Sequence, residues 1–457
     1  MRGLRYGNSK MNFAEKDLKY IWHPGSQMKD YEDLAPIVID RASGVNLYDA
    51  EGRRYIDVIS SWWCNLLGHC NERINNALKI QVDKLEHVIF ANFSHLPAIN
   101  LCEKLSKLTP KGLEKFFFTD NGSAAVEAAM KMSFQYHCQT GNPQKKRFMA
   151  LKEAYHGETL GALSAGGLGL YSEIFKPILL DVIRIENPDC YRCPHQKQRE
   201  SCDAECFSRA QDSFEKYANE TAAIIIEPIL QAAAGMKVYS PVFLTKLRKL
   251  CDEYNVHFIA DEIATGYGRT GKMFACDHAN VSPDIMCISK GLTGGYLPMA
   301  ITVTTDKIYD AFYADYTEGR AFLHSHTYCG NPLACAAAIE VLNIMEDEDI
   351  ISKANEKADY FNELILQTMS GNKWVGDIRR IGLINAIELV ESRESKKPLD
   401  IKQRYGFQIY KKALKKGVLL RPLGDTLYFN PPLIIERDTM DYVVKVCAEC
   451  MDEILER

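Results

Sequence analysis

Five short apolar runs, separated by stretches of helical periodicity, govern what this chain can fold into. They are FFFTD (116–120), RFMALKEAYHG (147–157), TAAIIIEP (221–228), VHFIADE (256–262) and DIMCISK (284–290). Strands covered on both faces read as short continuous apolar runs instead of alternating ones. Between two of the runs, VFLTKLRKLCDEY (242–254) carries apolar residues three and four apart, the period of a crossover helix. NGSAAVEAAMKMSFQYH opens another helix directly after FFFTD. Such alternation predicts an α/β fold built on an open, mostly parallel sheet.

The flanks have a different texture. PIVIDRASGVNLYDAEGRRYIDVIS has paired strand-like segments with a turn at Asp49 to Gly52. From about Gly330 a long helix (NPLACAAAIEVLNIME) is followed by GLINAIELV, GVLLRPLGDTLYFNPPLII and a last helix, TMDYVVKVCAECMDEILER. We therefore expect a large domain over 61–334, a smaller α+β domain over 335–457, and an N-terminal segment, 1–60, that packs with the small domain.

The chain has 457 residues, 46% of them hydrophobic, and a net charge of −5. That length allows a large core, and the charge balance gives no general attraction to nucleic acid or membrane. No apolar run approaches the roughly 20 residues of a membrane helix. The opening MRGLRYGNSKMNF is charged where a secretory leader would turn apolar, so a cytoplasmic protein is expected, with Met11 an alternative start. Fifteen cysteines in such a chain read mostly as reduced thiols. Four of them, Cys190, Cys193, Cys202 and Cys206, form a C-x2-C-x8-C-x3-C pattern inside a polar insertion, 188–207. That spacing suits a structural zinc or an iron–sulfur cluster as well as an insertion with unligated thiols.

Chemistry concentrates in IADEIATGYGRTG (259–271) and PDIMCISKGLTGG (283–295). Asp261 closes one apolar run and Lys290 follows another, at the strand ends where open α/β sheets place ligands. A lysine crowded by apolar residues can lose its proton and condense with an aldehyde. An aspartate aimed at a pyridine nitrogen keeps that nitrogen protonated and the ring electron-accepting. Gly122 and Ser123, between FFFTD and the following helix, offer a close backbone approach, a hydroxyl and a helix N-terminus to an anion.

With these motifs the chain resembles the class III pyridoxal-phosphate aminotransferases of the fold-type I, aspartate aminotransferase-like superfamily, from Trp22 to the C-terminus. IWHPGSQM (21–28), SSWWCNLLGH (60–69), DNGSAAVEAAMK (120–131), AYHGETLGA (154–162), IIIEPILQAAAGM (224–236) and GVLLRPLGDTLYFNPP (417–432) bring the resemblance closer to members that aminate 8-amino-7-oxononanoate for biotin. The resemblance implies pyridoxal 5'-phosphate on Lys290, Asp261 at its ring nitrogen and Tyr155 stacked on its ring. It implies a phosphate cup of Gly122 and Ser123, completed by Thr327 from a neighbouring subunit, with His326 beside it also at the cofactor, hence a homodimer with active sites at the interface. Small-molecule substrates would then meet Trp62, Tyr155, Lys290, Ser325, Arg421 and Tyr428, with Trp62 as pocket wall. Adjacent tryptophans on a strand would face opposite ways. Arg421, a guanidinium inside an apolar strand, needs an anionic partner, which the family identifies as the substrate carboxylate.

Three positions depart from the family pattern. Gly25 stands where W-H-P is usually followed by an aromatic residue. His324-Ser325-His326-Thr327 replaces the H-G-P-T of adenosylmethionine-using members and is closer to an H-G-H type found in relatives that use lysine. Glu158 replaces a more usual aspartate after His-Gly. Adenosylmethionine is the expected amino donor; lysine with the same acceptor, or another class III activity on ω-amino acids, stays open.

Overall fold

The computed structural model describes residues 12–456; the charged opening and the alternative start at Met11 lie outside them. In chain order the strands are β1 (Ile39–Ser43), β2 (Asn46–Asp49), β3 (Arg54–Asp57), β4 (Leu113–Thr119), β5 (Arg147–Leu151), β6 (Val182–Ile185), β7 (Thr221–Ile226), β8 (Leu230–Gln231), β9 (Lys237–Val238), β10 (His257–Asp261), β11 (Ile285–Ile288), β12 (Ala300–Thr305), β13 (Val375–Ile381), β14 (Ile384–Ser392), β15 (Lys397–Pro398), β16 (Val418–Leu419) and β17 (Thr426–Phe429).

The central sheet has the order β4-β12-β11-β10-β7-β5-β6. β6, β5, β7, β10 and β11 pair in parallel. β12 runs against both its neighbours, β11 and β4, so β4 shares the direction of the parallel set. Every residue of β7, β10 and β11 is buried, which is why these strands read as unbroken apolar runs. Helices cover them. Gly122–Gln139 starts at Asn121, whose side chain accepts the Ala124 N–H, and buries ten residues, mostly alanine and methionine, against the sheet. Pro241–Tyr254 has Ser240 as its N-cap and proline at its first turn, and ends at Asn255 in the left-handed conformation (φ 51°).

The N-terminal and C-terminal parts of the chain share a sheet. β1, β2 and β3 form an antiparallel meander, and β16 adds to β3 in parallel with Val418 opposite Ile56. β14 sits between β13 and β17, with β15 pairing at its far end. The final helix, Arg437–Leu455, buries nine apolar residues on one side. Among the described residues no helix is long and apolar enough to cross a membrane.

One polar cluster lies deep in this fold. His137 and His257 stack with ring centroids 4.5 Å apart, both buried. His137 Nε2 donates to the Ala222 carbonyl at 2.9 Å, and His257 Nδ1 meets Ser133 Oγ at 2.8 Å. Burial pushes His137 down to about 4 and His257 in the same direction. Both are therefore neutral in the folded protein, while the unfolded chain takes up protons near the ordinary histidine value. Their stability contribution is complete above about pH 6.5 and is lost as pH falls toward 4. His137 alone accounts for up to about 3 kcal/mol of this loss. Urea denaturation between pH 7.5 and 4.5 should show it, with a shallower pH slope in His137→Gln; identical slopes would contradict it.

Candidate active site

Because β4, β5, β7, β10 and β11 run the same way, their carboxyl ends open on one edge of the sheet. The residues that follow them are Gly122 and Ser123, Tyr155, Glu227, Asp261 and Lys290, and all line one cavity of about 290 Å³. That is the lower end of the range for ligand cavities. A second, larger cleft, about 550 Å³, is lined by charges already satisfied by one another, Lys237 with Glu153 and Asp189, and Arg192 with Glu388.

Lys290 leaves β11 in the left-handed conformation (φ 44°), a strained placement for lysine. Its Nζ lies 5.1 Å from the centre of the Trp63 ring. Burial lowers its pKa, opposed by the carboxylates of Asp261 and Glu227. The result is an amine more easily deprotonated than a surface lysine. Asp261 Oδ2 accepts from His156 Nδ1 at 2.7 Å, and its other oxygen accepts the Ile263 N–H at 3.1 Å. Beside them Glu227, fully buried, accepts the N–H groups of Tyr155 (3.1 Å) and Ala232 (3.0 Å), and burial pushes its carboxyl up to about 7.

At the start of helix Gly122–Gln139 a Cβ on Gly122 would lie 2.9 Å from Ile263 Cδ1. Across from it, Gly157 has φ 122°, and a Cβ there would lie 2.4 Å from Ser123 Oγ. Ser123 Oγ accepts from the amides of Glu158 (3.1 Å) and Thr159 (3.0 Å). Two loops thus meet over a helix N-terminus, bridged by the Ser123 hydroxyl. Tyr155 presents its ring to the cavity, and its hydroxyl donates to Glu158 Oε1 at 3.1 Å.

The two tryptophans are not on a strand. Ser60, Ser61, Trp62 and Trp63 all have positive φ (51°, 44°, 75° and 72°), and the Trp63 N–H reaches the Ile59 carbonyl at 2.8 Å. This is one turn of left-handed helix, which costs L-residues roughly 1–2 kcal/mol each, about 4–8 kcal/mol in all. The side chains still diverge. Trp63 is buried and lines the cavity, donating from Nε1 to the Tyr428 hydroxyl at 3.0 Å. Trp62 is 47% exposed and stacks against Arg421, with Cζ 4.7 Å from the ring centre. Arg421 itself follows the two-residue strand β16 in irregular chain and is half-buried, so the expected guanidinium inside a strand is corrected. Its Nη2 donates to the Gly25 carbonyl at 2.9 Å. Gly25 has φ 59°, and a Cβ there would touch the Trp62 ring at 3.3 Å.

Ser325, His326 and Thr327 do not line this cavity. Ser325 and Thr327 are exposed, and His326 Nδ1 pairs with Asp120 at 3.1 Å. The four insertion cysteines are free and half-buried. Among the described residues, the one group of three ligand-type side chains with atoms within 4.8 Å of one another is Asp120, His326 and Cys329. Of the two readings the spacing left open, the zinc or iron–sulfur shell at Cys190, Cys193, Cys202 and Cys206 therefore has no support among the described residues. Glu227, His156 and Trp63 line the cavity without having been singled out as site residues; the charged residue closing the apolar run TAAIIIEP is the signal that marks Glu227.

Residues 27–451 match the family model Aminotransferase class-III, and the chain belongs to that family. It is 43% identical to adenosylmethionine-8-amino-7-oxononanoate aminotransferase of Geobacter sulfurreducens over 94% of both chains. To the Helicobacter pylori protein of the same name it is 42% identical over 98% of this chain and 99% of that one. Among solved structures, adenosylmethionine-8-amino-7-oxononanoate aminotransferase from Methanocaldococcus jannaschii superposes with a TM-score of 0.91 at 38% identity, covering 96% of this chain and 98% of that one. The omega transaminase from Pseudomonas jessenii in complex with PMP gives 0.92 at 31% identity, covering 98% and 99%.

A side chain at Gly157 would enter the space between the two loops and adopt a backbone conformation that L-residues avoid. Gly157→Ala should cost about 2–4 kcal/mol of stability and weaken anion binding at the helix N-terminus. Thermal unfolding, with and without inorganic phosphate, measures both effects. An unchanged midpoint and unchanged phosphate response would refute the account of this cradle.

Proposed function

We propose that the protein is a pyridoxal-phosphate aminotransferase that converts 8-amino-7-oxononanoate to 7,8-diaminononanoate in the cytoplasm, with adenosylmethionine as amino donor. The observation that carries the reading is a half-buried lysine and a buried aspartate on adjacent strand ends, in a chain 43% identical to a relative named for that reaction. The donor set fits the cofactor: an amine of lowered pKa, a carboxylate fixed by His156, and a helix N-terminus that carries the Ser123 hydroxyl and is closely approached because Gly122 and Gly157 lack side chains.

When bound, pyridoxal 5'-phosphate supplies an electron sink that stabilises negative charge on the substrate carbon. Lys290 would hold its aldehyde carbon. Asp261, held in place by the His156 N–H, would serve its ring nitrogen. Gly122 and Ser123 would receive its phosphate, and Tyr155 and Ile263, which line the same cavity, would hold its ring. The Lys290 amine, with its lowered pKa, would be the base and acid that holds and returns the substrate's proton. Trp63, beneath Nζ, limits where that amine can swing and keeps water from it. Arg421 receives the acceptor's carboxylate, which takes over the hydrogen bond now made by the Gly25 carbonyl.

In this reading the active enzyme is a homodimer. Ser325, His326 and Thr327 form an exposed edge that reaches the phosphate cup of the partner subunit. Large exposed apolar side chains, Phe93, Leu96 and Leu323 among them, support such a contact.

Lys290→Ala should abolish transamination while leaving cofactor that dialyses away; peptide mapping after borohydride reduction must find the label on Lys290 and nowhere else. Arg421→Ala should lower kcat/KM for the oxononanoate by about 10–100-fold, or roughly 1.5–3 kcal/mol. The donor half-reaction, followed by loss of the visible absorbance of the lysine-bound cofactor, should change less. Equal losses in both would make Arg421 a structural residue. For the donor, diaminononanoate formation is compared with adenosylmethionine and lysine at matched concentration. Turnover with lysine alone would transfer the donor assignment and leave the acceptor standing.

A further inference from the structure

Arg269 is 2% exposed and stands among the largest fully buried side chains, yet its guanidinium is surrounded by carbonyl oxygens. Nη1 donates to the Pro431 carbonyl at 2.6 Å, and Nη2 to the carbonyls of Trp63 and Asn65, each at 3.2 Å. Its Nε makes no hydrogen bond among the described residues. A buried cation without a carboxylate in contact is expensive, and an apolar side chain of similar volume would fill the space at lower cost. The charge has to serve something that packing does not.

What it reaches is the exit of the left-handed turn Ser60–Trp63. More helix of the same hand would satisfy such carbonyls, but the left-handed run ends at Cys64 (φ −98°), so the carbonyls of Trp63 and Asn65 need another donor. One planar fork answers both and ties them to Pro431, while Ser60 Oγ donates to the Asn430 carbonyl at 2.7 Å from the same side. The mount is rigid. Tyr267 N–H binds the Met273 carbonyl at 2.7 Å, Gly268 and Gly271 take positive φ, and buried Glu262 accepts the amides of Ala275 and Cys276.

We infer that Arg269 is a positioning residue that locks the left-handed turn, and that through this turn it sets Trp63 under Lys290 and Trp62 under Arg421. One buried guanidinium thereby fixes the spacing between the amine that handles the proton and the cation that receives the carboxylate. The positive charge of Arg269 also contributes to the lowered pKa of Lys290. The meaning for substrate rests on the function proposed above; the lock itself does not, and is tested on protein free of cofactor and substrate.

In the wild-type protein the amides of Trp63, Cys64 and Asn65 should exchange with deuterium as slowly as those of β10, although Ser61 and Trp62 beside them are exposed. Exchange at loop rates would overturn the lock without any variant. Arg269→Lys keeps the charge and loses the fork, and should speed exchange at 63–65 by about tenfold or more while leaving β7 and β10 protected. Ser61→Gly removes left-handed strain but also the hydroxyl that donates to Asp57 at 2.7 Å, so against a Ser61→Ala control, which loses only the hydroxyl, it should restore much of the lost protection and melting temperature in Arg269→Lys and add less in the wild type. Additive effects of the two changes would overturn the proposal, as would a lowered melting temperature in Arg269→Lys with unchanged exchange at 63–65. Should Arg269→Lys not be recovered folded, the wild-type exchange pattern decides. In the loaded enzyme, Arg269→Lys should raise KM for the carboxylate-bearing acceptor about tenfold and also slow the donor half-reaction, whereas Arg421→Ala affects chiefly the first. If the double variant regains protection and neither acceptor nor donor reacts even with the wild type, the lock stands and the substrate reading falls.

Discussion

Everything chemical in this protein depends on parallel strands that bury both faces. A strand with no solvent face can present a polar side chain only where it ends, and strands running the same way end together. β10 and β11 are neighbours, with Asp261 paired opposite Cys287, so Lys290 emerges three residues beyond that pairing, against the aspartate. No long-range placement is needed for their encounter; hydrogen-bond register provides it. β4, β5 and β7 add Gly122, Tyr155 and Glu227 by the same rule. β12, the antiparallel member, adds none of the cavity-lining residues and instead lets β4 close the sheet beside it.

That dependence explains which parts of the molecule the sequence reveals. Lys290 and Asp261 are legible because an apolar run broken by one charged residue is rare, and both lie where the run breaks. The phosphate-type cradle is legible in Asn-Gly-Ser after a strand, since the N-cap, the open backbone and the hydroxyl are all local. By contrast, the turn at Ser60–Trp63 is invisible to pattern reading. Ser-Ser-Trp-Trp has no glycine or asparagine to announce positive φ, and its conformation is stabilised by Arg269, Asn430 and Tyr428, more than two hundred residues away. The strand expected there fails because tertiary hydrogen bonds override local preference. The divergence of the two rings is nevertheless right, since successive side chains in a left-handed turn also point apart.

Arg421 teaches a related lesson about burial. In sequence it stands among Val418, Leu419, Leu420 and Pro422, which argues for a cation hidden in a strand and short of an anion. In the fold the strand stops two residues earlier, and the guanidinium lies at the rim, one face on the Trp62 ring and one nitrogen on the Gly25 carbonyl. It is thus satisfied without an anion and still free to exchange a neutral oxygen for a charged one, a trade that favours the charged partner. The truly buried and carboxylate-free arginine is Arg269, in a glycine-rich loop where no apolar run draws attention to it. Apolar sequence neighbours are a poor guide to a cation's burial when the chain is about to turn.

The absence of an aromatic at position 25 follows from the same geometry. Trp62 projects from the left-handed turn toward residue 25 so closely that even a Cβ there would touch its ring, and the positive φ at Gly25 carries the carbonyl into reach of Arg421. An aromatic side chain and the present Trp62 position compete for one volume. Stacking on Arg421 and closing the rim are then done by Trp62, held from behind by Arg269, while residue 25 contributes only backbone. Replacing the glycine would therefore act on the arginine twice, by moving the ring beneath it and by withdrawing the carbonyl in front of it. The substrate-facing surface at this rim is shaped less by the residue nearest to it than by the strained turn two contacts behind.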